Sequence, residues 1–194
     1  MSKVALPLGR IWLRQRNFRH WTLDIGLLLL LTMTRIGLIS DTHSYLDPAV
    51  FTHFADCNEV WHAGDVGAPD VARQLADFRP LRIVSGNIDS ERDYPANLRF
   101  ELEGFSIWIT HIGGAPPRYN PTVKPSLQIN TPDLFICGHS HILKVVRDPK
   151  LANMLYLNPG AAGKTGFHLQ RTCLRFTLDN KRISDMQVIE LGKR

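Results

Sequence analysis

The chain is poor in cysteine, in long apolar runs and in charge of one sign, and each shortage closes off a class of protein. Cys57, Cys137 and Cys173 are scattered and lack CxxC spacing. They fit reduced, buried thiols in a cytoplasmic protein rather than a disulfide framework. Cys137, inside Leu134-Phe135-Ile136-Cys137, reads as core packing. The apolar run Ile25–Leu31 is far below the ~20 residues that span a bilayer, so no stable membrane association is expected. Repeats, low-complexity tracts and linkers are also absent. The formal charge of +5 suggests a polyanion partner, but residues 1–32 hold five basic groups (Lys3, Arg10, Arg14, Arg16, Arg19) against Asp24. The remainder has 18 basic and 17 acidic residues, a net of +1, and duplex nucleic acid is not an expected partner.

What is present is an ordinary globular composition, 44% hydrophobic and 21% charged over 194 residues, enough for one domain with a proper core. Residues 1–32 stand apart as an N-terminal extension, with a basic stretch before a short apolar run. Three readings stay open: translated upstream sequence with Met33 as the initiator, an amphipathic tail at a membrane surface, or an export signal. The domain proper is expected over residues 33–194.

Within it, Ile36–Ser40, Glu59–Trp61 and Leu81–Val84 have the pattern of short buried strands. Helices are expected from Asp47-Pro48 through Ala55, with Asp47 as N-cap, and from Asp70 to Phe78, where Val71, Leu75 and Phe78 recur at helical spacing. This rhythm implies parallel strands with right-handed crossovers. Arg99–Leu102 and Ser106–Thr110 flank Glu103-Gly104 as a hairpin; Leu134–Cys137 and Met154–Leu157 are further strands. Residues 168–177 and 183–191 make a closing antiparallel pair. The expected class is α/β, with two mixed β-sheets and helices outside.

Five segments then carry the chemistry: Asp41-Thr42-His43, Gly64-Asp65, Gly86-Asn87, Thr110-His111 and Gly138-His139-Ser140-His141. From His43 to Asp65, Asn87, His111 and His139 the steps are 22, 22, 24 and 28 residues, about one strand plus its connection. Each segment follows an expected strand, so two Asp, one Asn and four His can converge on one sheet edge. Unpaired burial of such groups is unfavourable, and a pair of metal ions sharing one carboxylate removes the penalty. His62 reads as packing or support; His20, His53 and His168 read as surface or locally hydrogen-bonded.

The order D-x-H, GD, GN, H, GHxH resembles the calcineurin-like metallophosphoesterase superfamily, nearest its small single-domain bacterial and archaeal phosphodiesterases. The resemblance runs from about Thr34 to Leu191 and includes the Asn158-Pro159-Gly160 turn. It implies a four-layer α-β-β-α sandwich. It also implies one ion on Asp41, His43 and His141, a second on Asn87, His111 and His139, and Asp65 as the bridge. Mn²⁺ suits these ligands first, then Fe²⁺, Ni²⁺ or Zn²⁺. A bridging hydroxide would attack phosphorus in line, which accounts for the lack of a Ser or Cys nucleophile motif. Asp65, Asn87 and His111 are thereby catalytic candidates.

Many superfamily members carry His after Gly-Asn; here that position is Ile88, followed by Asp89. The general acid is therefore unidentified, and Asp89 is expected either to orient a ligand or water or to cap a turn. Good leaving groups are the expected preference. The loop Ile112–Pro121 offers Arg118 for a phosphate oxygen and Tyr119 for stacking, with Lys124 a weaker choice. The reading is a phosphohydrolase acting on a small phosphodiester or nucleotide-like substrate, as monomer or homo-oligomer. The alternatives are a nucleotide phosphatase of the same superfamily and a non-catalytic scaffold resembling the retromer subunit of this fold.

Overall fold

The computed structural model describes residues 33–194, and the readings made for residues 1–32 lie outside the described residues. The first sheet has the order β12-β11-β1-β2-β3, built from β1 (Thr34–Ile39), β2 (Glu59–His62), β3 (Leu81–Ile83), β11 (Gln170–Asp179) and β12 (Arg182–Lys193). The second has the order β4-β5-β8-β10-β9, from β4 (Asn97–Leu102), β5 (Phe105–Thr110), β8 (Leu134–Ile136), β9 (Leu143–Asp148) and β10 (Met154–Pro159). Both are mixed: β1, β2 and β3 run parallel, with the antiparallel pair β11 and β12 on the β1 side, and β5, β8 and β10 run parallel between the antiparallel edge strands β4 and β9. A two-residue ribbon joins β6 (Gly114–Ala115) to β7 (Arg118–Tyr119).

Side chains alternate across each strand, and this period divides the core into layers. Ile36 and Leu38 of β1 meet Ile107 and Ile109 of β5, Leu134 and Ile136 of β8, and Leu155 and Leu157 of β10 between the sheets. On the outer face of the first sheet, Ile39 and Val60 pack against Val50 and Phe54 near α1 (Ala49–His53), and against Val71 and Leu75 of α2 (Pro69–Phe78). On the outer face of the second, Trp108, Phe135 and Tyr156 pack against Leu127 of α3 (Lys124–Ile129). The result is the expected four-layer sandwich. All three cysteines are buried and free, and burial raises each thiol's pKa, Cys57 to about 11.

Local chemistry accounts for most of the junctions. Glu103 and Gly104 both take positive φ, 49° and 75°, as a tight hairpin turn requires. Pro69 opens α2, where a missing N–H does no harm. Asp47 acts one residue earlier than an N-cap of α1: Pro48 holds that position, while Asp47 Oδ1 accepts the Ala49 N–H at 2.9 Å. The Asp47 carboxylate also receives Arg171 at 2.7 Å. Among the described residues no helix is long and apolar enough to cross a membrane.

Candidate metal centre

Every parallel strand that precedes one of the five segments delivers its donors at its C-terminal end: β1 Asp41 and His43, β2 Asp65, β3 Asn87, β5 His111, β8 His139 and His141. Five of these seven adopt left-handed backbone, with φ of 54° at Asp41, 46° at His43, 56° at Asp65, 67° at His139 and 57° at His141. Strain of this kind gathers at functional sites. Of the adjoining glycines, Gly64 takes a positive φ of 92°, while Gly86 and Gly138 do not. They permit close approach instead. A Cβ at Gly86 would collide with the Asp65 carboxylate, and one at Gly138 with Ser40 Oγ.

The donors form two groups whose ligating atoms lie within 4.8 Å of one another: Asp41, His43, Asp65 and His141, and Asp65, His111 and His139. Asp65 is common to both. Asn87 Oδ1 joins the second group, 2.9 Å from His139 Nδ1. Asp41 and Asp65 are buried, at 0% and 2% exposure, and their ion-pair partners among the described residues are histidines alone. Two buried carboxylates without Lys or Arg call for another cation.

The histidine protons point the same way. His111 Nδ1 lies 2.7 Å from the Ala63 carbonyl and must donate to it. Its Nε2 is buried without a hydrogen bond, 3.3 Å from Asp65 Oδ1. Burial alone would lower the His111 pKa, but Asp65 and Asp41 raise it overall, so the local field favours positive charge at Nε2. Burial likewise opposes ionisation of Asp65, yet His111 and the Ile88 N–H bring its carboxyl down to about 2. His168 Nε2 donates to the Gly163 carbonyl at 3.0 Å, leaving Nδ1 to accept from His141 Nδ1 at 3.2 Å. His141 Nε2 then aims a lone pair at Asp41 Oδ1, 3.1 Å away. Lone pairs facing carboxylate oxygens across such gaps are the arrangement divalent cations fill, and the set of imidazole, carboxylate and amide oxygen fits them.

Surrounding residues hold the donors in place. Ser40 Oγ donates to Asp41 Oδ2 at 2.6 Å. The buried His62 accepts the Gly64 N–H and contacts Thr42 Oγ1 at 3.0 Å, and burial pushes its pKa down to about 4. Asn158 Nδ2 donates to the Gly138 carbonyl at 2.8 Å, tying the Asn-Pro-Gly turn to the His139 loop.

Three further candidate residues find their partners away from the donor cluster. Asp89 does not face the cluster: its oxygens accept the N–H groups of Val66 (3.0 Å), Gly67 (2.9 Å) and Gly86 (2.8 Å), clamping two donor loops together. Tyr119 gives its hydroxyl to Asp148 at 2.7 Å and packs toward Phe135. Arg118 is exposed on the ribbon and lines neither cavity at the cluster. His168, read as surface or locally hydrogen-bonded, does bond locally to Gly163 and also bears on His141. No spacing rule singles it out, because it reaches the site from the segment before β11. Beside it Phe167 is fully exposed at the rim of a cavity of about 410 Å³ with Ile142, His43 and Asp65.

The sequence profile of the calcineurin-like phosphoesterase superfamily domain matches residues 34–181. A probable metallophosphoesterase of Methanothermobacter thermautotrophicus is 35% identical over 134 residues, 65% of this chain and 76% of that one. Among solved structures, a predicted phosphoesterase from Streptococcus pneumoniae is similar with a TM-score of 0.63 at 23% identity, over 82% of this chain and 91% of its own. Vacuolar protein sorting 29 of Entamoeba histolytica, solved with Zn²⁺, gives 0.58 at 17% identity over 80% and 98%. At those identities the two structures attest the fold alone. The profile match and the archaeal relative establish that the chain belongs to the calcineurin-like phosphoesterase superfamily.

Proposed function

We propose that the protein is a phosphodiesterase that uses two divalent metal ions, Mn²⁺ foremost, on a small diester substrate. One observation carries this: all seven donor positions hold competent ligands and meet in two groups that share Asp65. Asp41, His43 and His141 would hold one ion, Asn87, His111 and His139 the other, with Asp65 between them. Bound there, the ions would polarise the phosphoryl oxygens and activate the attacking water.

The chain's own residues contribute orientation. His168 keeps the His141 Nε2 lone pair directed inward. The Ala63 carbonyl does the same for His111, and the Ile88 N–H steadies Asp65 Oδ1 at 3.1 Å. Position 88 itself offers no proton donor, since Ile88 is half exposed and apolar. That favours substrates whose leaving group departs without protonation, such as aryl phosphodiesters.

The test is turnover of bis(p-nitrophenyl) phosphate against p-nitrophenyl phosphate, with Mn²⁺ and then with chelator. Diester hydrolysis is expected, abolished by chelation and by Asp65→Asn, which removes the shared charge. Full turnover by the Asp65→Asn protein would contradict the two-ion arrangement. Preference for the monoester would favour a nucleotide phosphatase. No turnover of either compound with Mn²⁺ bound would leave the scaffold reading.

A further inference from the structure

A second cavity, of about 720 Å³, adjoins the cluster, and Asn87 is the one residue lining it and the smaller cavity alike. Its size is within the roughly 300–1,000 Å³ of small-molecule sites. Asn87 and His111 stand at the metal-centre side, and the rest of the lining includes Asn97, Arg99, Trp108 and Asn120. Arg99 is the notable group. Its guanidinium lies over the Trp108 indole, 3.6 Å from the ring centroid. Trp108 is itself fixed, nearly buried and donating its Nε1–H to Asn97 at 3.0 Å. The one hydrogen bond that the Arg99 side chain makes among the described residues is long, 3.5 Å to the Asn130 carbonyl. Burial lowers its pKa and no carboxylate offsets that; Glu91, the single acid of the lining, forms no ion pair with it. An exposed guanidinium set over an aromatic ring, with most of its donors not bonded to protein, presents its N–H edge to an oxyanion.

We propose that this cavity is the subsite for an anionic substituent, a carboxylate or phosphate, carried on one arm of the phosphoester, with Arg99 as the residue that selects it. The inference rests on the phosphoesterase reading, and supplies the substrate class that reading leaves open: a diester whose one arm carries its own negative charge.

Calorimetric titration of the Mn²⁺-loaded protein with alkylphosphonates tests it, because the P–C bond is not hydrolysed and no turnover is needed. One series ends in methyl, the other in carboxylate two to five carbons from phosphorus. At one length or more the carboxylate end is expected to bind at least about tenfold tighter, the scale of one charge-assisted hydrogen bond. Arg99→Met, which keeps an apolar stem over Trp108, is expected to bring those ligands down to the affinity of their methyl partners; Arg99→Lys should retain part of the advantage. Equal affinity of the two ends at every length, or an advantage that survives Arg99→Met, overturns the subsite alone. Failure of both series to bind the metal-loaded protein overturns the phosphoesterase reading together with it.

Discussion

His62 shows how a single side chain supports the centre without touching it. It is wholly buried, accepts the Gly64 N–H and holds Thr42, so it joins the Asp41 loop to the Asp65 loop. Burial depresses its pKa from 6.5 to about 4, so between those values the unfolded chain takes up a proton that the folded protein refuses. Stability from this residue is therefore full above pH 6.5 and is lost as pH falls toward 4, on the order of 3 kcal/mol over the window. His111, whose pKa moves upward, contributes with the opposite sign and is common to wild type and variant. In the chelated protein, His62→Gln should flatten the decline of melting temperature between pH 6.5 and 4. Parallel profiles for the two proteins would exclude His62 as the source.

At the scale of elements, the loops after β2 and β3 act as one unit because Asp89 binds three N–H groups across them. Asp89→Ala leaves those donors without their acceptor, a loss of about 1–3 kcal/mol. Denaturant unfolding should report that loss, while the dependence of turnover on leaving-group pKa keeps its slope. A changed slope at unchanged stability would return Asp89 to the chemistry. The strands that carry donors were legible because their signals are short-range: a buried β-run, then a polar residue beside glycine. Elements without such signals were not. The edge strand β9 buries Asp148 alone of its six residues and pairs with β10 alone. The six-residue α3 is too short to establish a helical period. The ribbon β6–β7 lies inside a Gly/Pro loop whose turn residues mask it.

For the molecule as a whole, the candidate metal centre lies where the two sheets meet: Asp41, His43, Asp65 and Asn87 follow strands of the first, and His111, His139 and His141 follow strands of the second. Cation binding should therefore stabilise the entire sandwich, by about 2.7 kcal/mol at a hundredfold excess over Kd. Thermal melts with Mn²⁺ and with chelator measure this, and identical melting temperatures would argue against an ion held between the sheets. The order of the seven candidate donors along the chain, the layer architecture and the buried thiols followed from the sequence alone, because strand length, side-chain alternation and turn chemistry act over a few residues. Which polar side chains face the cluster was decided by tertiary structure. Asp89 and Tyr119 turn to backbone and carboxylate partners 22 to 29 residues away. His168 reaches His141 across 27 residues, and Arg99 is directed to its cavity by Trp108 on the neighbouring strand. Such choices depend on which acceptor is nearest once the chain is packed, and no local pattern encodes that.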